Sequence, residues 1–540
     1  MARMFSESQF SDRLNTNYVP SDGEIGHIRM DLVLRSEELA RIDAHICELS
    51  AQRDKIQAYI HAHKALISLP RRLPQDIVGE IFVACLPMSR NAVMSAQEAP
   101  LLLCRICSAW RTIALSTPRL WTSLHVPFGF VLAKESRMLA VAQWLQRSAA
   151  CLISLSISHV NQRSWEDQEE EPEMKDVQSA RRESLLKSLT ASMARWRDVD
   201  FQNISFKMAY ELQIAKVIDR PLSLESFKFS GRLSALNLLD LCFAAPNLHT
   251  VALRLKGTDP LDEFVLSMPL SWNRLENLVL DSNGSGFSLL TVISLLGRCT
   301  QLVSLYITPE SNDAEIDFVS APLSLPFLQS FTLSRRFLTS CSLGRLLGHM
   351  SMPQLRHFHA GATTCEHGAQ HSFFLVRLGK TSPLMEETTI YLLSLTTQSL
   401  LDTLRSFPSL IKLVAVDTDV WGWDGTVLTP SLAHLFSLLT DTNMCPMLQE
   451  LGVRNCARVE KAMLHAFMQA RIGTTESAHR PLRRLEITFQ ESCTPDVELL
   501  SAAEIQSYLS QGVEISIFDD NWDGPLVSPG PWPGLPPDDS

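Results

Sequence analysis

An α/β chain is what this sequence predicts, with a helical N-terminal region leading into a long array of short strands and return helices. Three observations carry that reading. Apolar residues from Leu39 to Ile67 recur at helical steps of three and four. A short pattern, Leu-x-x-Leu/Phe-x-apolar, returns at a nearly fixed interval through most of the chain. Proline stands shortly before many of its copies, where a helix has to stop (Pro246, Pro326, Pro353, Pro408, Pro446 and Pro481). At 540 residues the chain exceeds one compact core, so it divides or grows by repetition. With 45% hydrophobic and 20% charged residues its composition is ordinarily globular.

Bulk properties narrow the classes of function. The net charge of -11 and the pI near 5.8 argue against a nucleic-acid partner, since phosphate binding needs a basic face. No apolar run approaches the ~18 residues of a membrane span, so no membrane partner is expected; the longest, Leu101 to Leu115, is broken by Arg105 and Arg111. The first residues lack an apolar core and a small-residue cleavage site, so no secretory signal is expected. Twelve cysteines without framework spacing suit free thiols in a reducing compartment, hence cytoplasm or nucleus. The triplets Asn203-Ile-Ser205 and Asn283-Gly-Ser285 are accordingly read as unmodified.

Residues 1–27 are polar, with a turn-like Pro20-Ser-Asp-Gly-Glu24, and read as a flexible leader. Residues 28–69 read as an amphipathic helix. Leu39, Ile42, Ile46, Leu49, Arg53, Ile56, Ile60, His63 and Ile67 form a heptad seam with polar residues at two places. The seam allows a short dimerising coiled coil; the polar positions favour instead one helix folded back on its own chain. Pro70 and Pro74 end this helix and open a block over 70–126. In that block Ile77, Ile81 and Phe82 give one helix an apolar edge, and Pro87 to Pro100 is looser. A second helix is expected over Leu101 to Leu115, with Leu102, Ile106, Ala109, Trp110 and Ile113 on overlapping apolar faces, before Thr117-Pro118 restarts the chain.

The repeat occupies 127–518. Copies begin at Leu152, Leu224, Leu248, Leu275, Leu302, Leu328, Leu355, Leu410, Leu448 and Leu482, with weaker ones at Trp196 and Met385. From Leu224 to Leu355 the steps are 24, 27, 27, 26 and 27, then 30 and 25, with 38 and 34 near the end. A period of about 20 to 29 residues is the signature of a leucine-rich-repeat solenoid, here a degenerate one without the regular Asn that forms an internal ladder. Each copy supplies one strand whose alternate residues point inward, and then a return segment; Leu236 to Phe243 and Leu289 to Leu296 look like return helices. A helix near Val497 to Leu509 and a strand at Val513 to Phe518 close the array. Seven acids around Pro172, between 165 and 176, read as a solvated loop. Residues 519–540, rich in Pro, Gly and Asp, read as a disordered tail. Strand alternation places Lys228, Arg254, Tyr306, His357, His359, Lys412, Arg454 and Arg484 on the outward face of the sheet, where they are the candidate contacts to a protein substrate.

Little in the chain suggests catalysis. Cys104 and Cys107 form a single CxxC inside the expected helix, with no second pair for a four-ligand zinc site, and read as core residues. Cys365, His367 and His371 share a loop and are the more plausible metal ligands or Cys–His pair, yet three such residues also arise by chance. No phosphate loop, nucleophile elbow or zinc-protease helix occurs. No cofactor is expected and the chain does not read as an enzyme.

The block over 70–124 carries a family resemblance. Leu73-Pro74, followed by Ile77, Ile81 and Phe82, then Cys107-x-x-Trp110-Arg111 and a closing Leu120-Trp121, resembles the F-box in its fungal form. A heptad-like helix before it and leucine-rich repeats after it are similar to fungal F-box proteins too. The resemblance implies a small all-α bundle that packs, largely through apolar contacts, on the Skp adaptor of Skp–cullin–F-box ubiquitin ligases. Leu73, Pro74, Ile77, Ile81, Phe82, Cys107, Trp110, Arg111, Leu120 and Trp121 would then be the adaptor-binding residues. On this expectation the chain is a substrate receptor, linked through the adaptor to a cullin scaffold and holding an unknown protein on its repeats. The alternative is a leucine-rich-repeat scaffold that dimerises through its N-terminal helix without a ubiquitin ligase.

Overall fold

Alternation of buried and exposed side chains along short β-rich segments makes each repeat a strand, and stacking the strands side by side buries what one repeat cannot. The computed structural model describes residues 9–67, 69–159, 172–214, 222–257, 260–284, 286–310, 323–334, 340–361, 372–392, 395–417, 432–456, 459–472, 481–489 and 500–519. Two compact units divide the chain, Met1–Ile81 and Phe82–Ser540.

The first unit is dominated by α1 (Asp22–Leu66). It begins inside the stretch expected to be leader, and the reason is a helix start signal at Ser21-Asp-Gly-Glu24. Glu24 reaches back to accept from the amide and the hydroxyl of Ser21, both at 2.8 Å. Those bonds, led by the Ser21 amide and joined by Tyr18 and Arg13, hold the Glu24 carboxyl down at about 2. The seam residues Leu39, Ile42, Ile46, Leu49, Ile56 and Ile60 are all exposed. A short α2 (Leu69–Arg72) follows, and the unit ends within α3 (Gln75–Ala84).

The second unit opens with α4 (Leu103–Ile106) and α5 (Ser108–Ser116), where one continuous helix was expected. Cys107 breaks it: its backbone is extended, at φ -158° and ψ 170°, and its sulfur accepts from the Trp110 amide at 3.5 Å. Cys107 is therefore the cap of α5 rather than a residue within a helix. Arg111 Nε ties the two helices together by donating to the Cys104 carbonyl at 2.8 Å. A 3-10 turn, Pro118–Trp121, then leads into the sheet.

That sheet has fourteen parallel strands, and their spatial order is their order in the chain. The strands are β1 (Ser123–Pro127), β2 (Ile153–Ser158), β3 (Trp196–Gln202), β4 (Ser226–Arg232), β5 (Thr250–Lys256), β6 (Asn277–Ser282) and β7 (Ser304–Ile307). After them come β9 (Ser330–Leu333), β11 (His357–Ala360), β12 (Glu387–Tyr391), β13 (Lys412–Val416), β14 (Glu450–Cys456), β15 (Arg484–Phe489) and β16 (Glu514–Asp519). The two-residue strands β8 (Leu323–Ser324) and β10 (Met350–Ser351) pair separately. Every copy of the repeat pattern supplies a strand, and the sequence reading missed β1. It begins at Ser123, so the array starts before residue 127 and takes in the end of the block read as F-box-like.

The missing Asn ladder has a backbone substitute. Just before each strand of the large sheet from β4 to β14, one carbonyl accepts from two consecutive amides of the next repeat. Glu225 receives His249 and Thr250, each at 3.1 Å; His249 receives Glu276 and Asn277; Glu276 receives Val303 and Ser304. The series continues through Val303, Gln329, Arg356, Glu386, Ile411 and Gln449. It fixes register without a side chain, so the sequence can drift there.

Two buried columns run through the strands, Leu124–Leu155–Val199–Phe227–Val251–Leu278–Leu305–Phe331–Phe358 and, two residues on, Val126–Ile157–Phe201–Phe229–Leu253–Leu280–Ile307–Leu333. Burying one such side chain stabilises by roughly 1.5–3 kcal/mol, and register aligns them repeat after repeat. Aromatic edges stitch neighbours: Phe201 to Phe227 at 6.1 Å, Phe331 to Phe358 at 5.8 Å.

The stretch 87–100, expected to be loose, is an ordered cover for the first edge of the sheet. The His125 amide donates to the Ala92 carbonyl at 2.8 Å, and the Ala92 amide to Ser123 Oγ at 3.1 Å. Arg90 and Glu98, paired at 2.6 Å with little exposure, brace the cover. An uncovered edge would template further strand pairing.

Smaller differences remain. Leu236 to Phe243 forms two short turns, Leu233–Leu236 and Asp240–Phe243, while Leu289–Leu296 is one helix as expected. The helix Pro172–Thr190 takes up the end of the acidic run at 172–176; residues 165–171 lie outside the described residues. The closing helix is Ala502–Ser510, and Asp519 belongs to β16; residues 520–540 lie outside the described residues.

Candidate interaction surfaces

The ten residues expected to bind an adaptor fall into different environments. In the first unit Leu73, Ile77 and Ile81 are 39%, 45% and 46% exposed, and Pro74 is exposed with them. The steps of four along α3 put Ile77 and Ile81 on one face. In the second unit Cys107 and Arg111 are exposed and Trp110 is half-buried, its ring 4.9 Å from Phe82.

Phe82, Leu120 and Trp121 are buried, unlike the other seven. Trp121 donates from Nε1 to the Ala114 carbonyl at 2.9 Å and lies edge-on to Trp144 at 4.9 Å. Arg147 covers its ring at 4.6 Å. The closing Leu-Trp is core that ties α5 to the first strands of the sheet. Sequence reasoning left out exposed apolar residues close by, Leu102, Ile106 and Leu115. Leu102 and Ile106 were among the apolar faces noted in the expected helix, and Leu115 was its last residue.

The second surface is the open face of the sheet. All eight substrate-face residues occupy outward positions: His357, Lys412 and Arg484 share one row, Lys228, Tyr306 and His359 the next, Arg254 and Arg454 the third. On β1 and β2 the outward residues His125, Pro127, Ser156 and Ser158 are buried, so the accessible face begins at β3.

Charge is unevenly spread over it. In the first two rows β5 to β9 present Thr250, Ala252, Asn277, Val279, Ser304, Tyr306, Ser330 and Thr332, all uncharged. Charged groups flank this band on both sides. On one, Gln202 donates to Asp200 at 2.7 Å; burial raises the Asp200 carboxyl, against the pull of Gln202, Lys228 and Arg254. On the other, Lys412 pairs with Glu387 at 2.6 Å, and His359 holds Thr389 at 2.8 Å through Nδ1. Burial lowers the His359 imidazole, and Lys412, His357 and Arg454 push the same way against Glu387. Arg356 and Glu386 pair at the rim. Such a face presents hydrogen-bonding groups and paired charges around Tyr306.

Among the described residues no group of three or more His, Cys, Asp or Glu is placed to hold a metal ion. Cys365, His367 and His371 lie outside the described residues. Burial raises the Cys104 thiol, the reverse of what a reactive cysteine needs. No described helix is long and apolar enough to cross a membrane.

No family model matches the chain, and no curated protein matches it. Solved structures similar to it include a complex of Rad7 and Elc1 in yeast, at 13% identity over 81% of this chain and 94% of that chain, TM-score 0.36. Another is the leucine-rich repeat-containing protein LegL7 from Legionella pneumophila, at 10% identity over 72% and 89%, TM-score 0.27. A Bacteroides fragilis protein is similar at 10% identity over 73% of each chain, TM-score 0.21. The strands and helices described above define the chain's class by themselves: a mixed α/β protein, with a helical N-terminal region and a parallel repeat solenoid.

Proposed function

We propose that this chain is a non-catalytic substrate receptor of a Skp–cullin–F-box ubiquitin ligase. Its N-terminal block docks on a Skp-type adaptor, which links it to a cullin, and the open face of the sheet holds a protein to be modified, in the cytoplasm or nucleus. The observation that supports this best is the apolar edge of Leu73, Ile77 and Ile81, which is exposed although each residue is large and apolar. An apolar edge left in water suits burial by a partner. The polar sheet face supports the second half, since outward rows spanning many strands suit an extended protein surface.

Direct binding of a purified Skp adaptor to the full-length chain tests the reading. Ile77→Asp with Ile81→Asp, both exposed, should abolish binding while circular dichroism stays unchanged. Absence of binding by the unaltered chain overturns the proposal, and so does undiminished binding by the double variant. On the sheet, Tyr306→Ala with Arg254→Glu should reduce the proteins that co-purify with the chain and leave adaptor binding intact.

A further inference from the structure

We propose that α1 pairs with α1 of a second copy of this chain as an antiparallel two-stranded coiled coil. The helix is 45 residues, about 68 Å, long and its heptad seam is more complete than the stretch from Leu39 suggests. The same alternation of three and four runs upstream through Ile25, Ile28, Leu32 and Arg35 without a slip. Ile46 and Leu49, at its middle, are 55% and 49% exposed. A strict seam of this kind is the pattern of two supercoiled helices, not of a helix lying on a globular core.

The polar seam residues choose the occupant and its direction. In a parallel, in-register pair, Arg35 would face the partner's Arg35, Arg53 the partner's Arg53, and Glu38 would flank the partner's Asp43. Reversing the second helix pairs each a position with a d position and removes all three conflicts. In the alignment centred between Ile46 and Leu49, Ile46 faces the partner's Leu49 and Leu39 the partner's Ile56. Arg53 then lies on the partner's Ile42, Ile60 on the partner's Arg35, and Leu32 on the partner's His63. Arginine opposite isoleucine lays its methylenes on the seam and turns its head to water. Arg35 already has Asp31 at 3.6 Å to meet its charge. Sliding by one heptad to a fuller overlap would bring Arg53 onto the partner's Arg35. The like charges left beside each other, Arg29 and the partner's Lys64, fall at the outer ends. A seam of matched length whose polar residues are complemented by its own reverse fits a second copy. This pairing is independent of adaptor docking, since it uses α1 alone.

Sedimentation of the full-length chain across a concentration series should give twice the chain mass, and Ile46→Asp with Leu49→Asp should return it to the single mass with its circular dichroism retained. A single mass for the unaltered chain overturns the proposal, as does a double variant that remains paired. Direction is read by thiol cross-linking under copper-catalysed air oxidation, with the unaltered chain setting the background from its own cysteines. Mixed Leu39→Cys and Ile56→Cys chains should cross-link to each other, and Leu39→Cys alone should not exceed background. Self-linking of Leu39→Cys overturns the antiparallel arrangement. Adaptor binding measured on the same variants should be unchanged, which separates this proposal from the receptor role.

Discussion

Arg471 donates from Nε to the carbonyl of Leu439 at 2.7 Å, closing the end of the helix Leu432–Thr440 with a side chain from the next repeat. The rest of its guanidinium serves the following turn: the carbonyls of Asp441 and Cys445 at 3.1 Å and of Met444 at 2.5 Å. The residue is wholly buried, and four carbonyls take four of its five N–H donors.

Replacing Arg471 by Met keeps the bulk but takes the donor from the carbonyls of Leu439 and Met444, whereas Asp441 and Cys445 still accept from the amides of Met444 and Leu448. A buried polar group left unmade costs about 1–3 kcal/mol, so the variant should lose at least ~2 kcal/mol. Urea unfolding of the full chain reads this, and a loss below ~1 kcal/mol would contradict the bonding described.

Cys107 should tolerate Ser better than Ala. A serine hydroxyl caps the Trp110 amide more strongly than sulfur does, whereas alanine removes the cap at a cost of about 1 kcal/mol. Thermal melting should rank Ser at or above the unaltered protein and Ala below it. The reverse order would deny the capping role.

Trp121→Ala should cost about 3–5 kcal/mol, because it opens a cavity beside Trp144 and frees the Ala114 carbonyl. Trp121→Phe keeps most of the packing and should leave adaptor binding close to that of the unaltered chain. A large drop in affinity from Trp121→Phe, with stability kept, would return this residue to the surface role the sequence suggested.

His359 gives the sheet a pH dependence of definite sign. In the folded chain its imidazole titrates below the ordinary 6.5, chiefly through burial, so below that value the unfolded chain takes up the proton more readily. Stability from this group is complete above pH 6.5 and declines as pH falls through the folded value. His359→Gln should flatten the acid side of a stability-against-pH curve, measured by urea midpoint. An unchanged curve would show that another group carries it.

The repeat was legible because its signal is periodic: a Leu-x-x-Leu/Phe-x-apolar pattern, returning at steps of 24 to 27 from Leu224 to Leu355 and less evenly elsewhere, marks the strands of the large sheet from β2 to β15. The burial of Leu120-Trp121 and the strand β1 gave no sign of themselves: a buried Trp with an edge-on neighbour and a Trp at a contact face look alike in one sequence, and β1 lacks the opening Leu of the repeat pattern. The helix break at Cys107 was hidden by uniform apolar spacing on either side of it. The outward residues followed directly from alternation, yet their pairing, such as Lys412 with Glu387, joins strands whose register no local pattern supplies. Arg471 gave no signal, for its partners are backbone carbonyls and those are the same in every residue.

The carbonyl ladder and the chain-order sheet together give the molecule a mechanical character. Among the described residues, each pairing in the fourteen-stranded sheet joins a strand to its neighbour in chain order. Pulled from its last strand, such a protein should yield in steps, one repeat peeling from the next, each with a force set by a single interface. A load would be felt at the grip first, while the far end stayed folded.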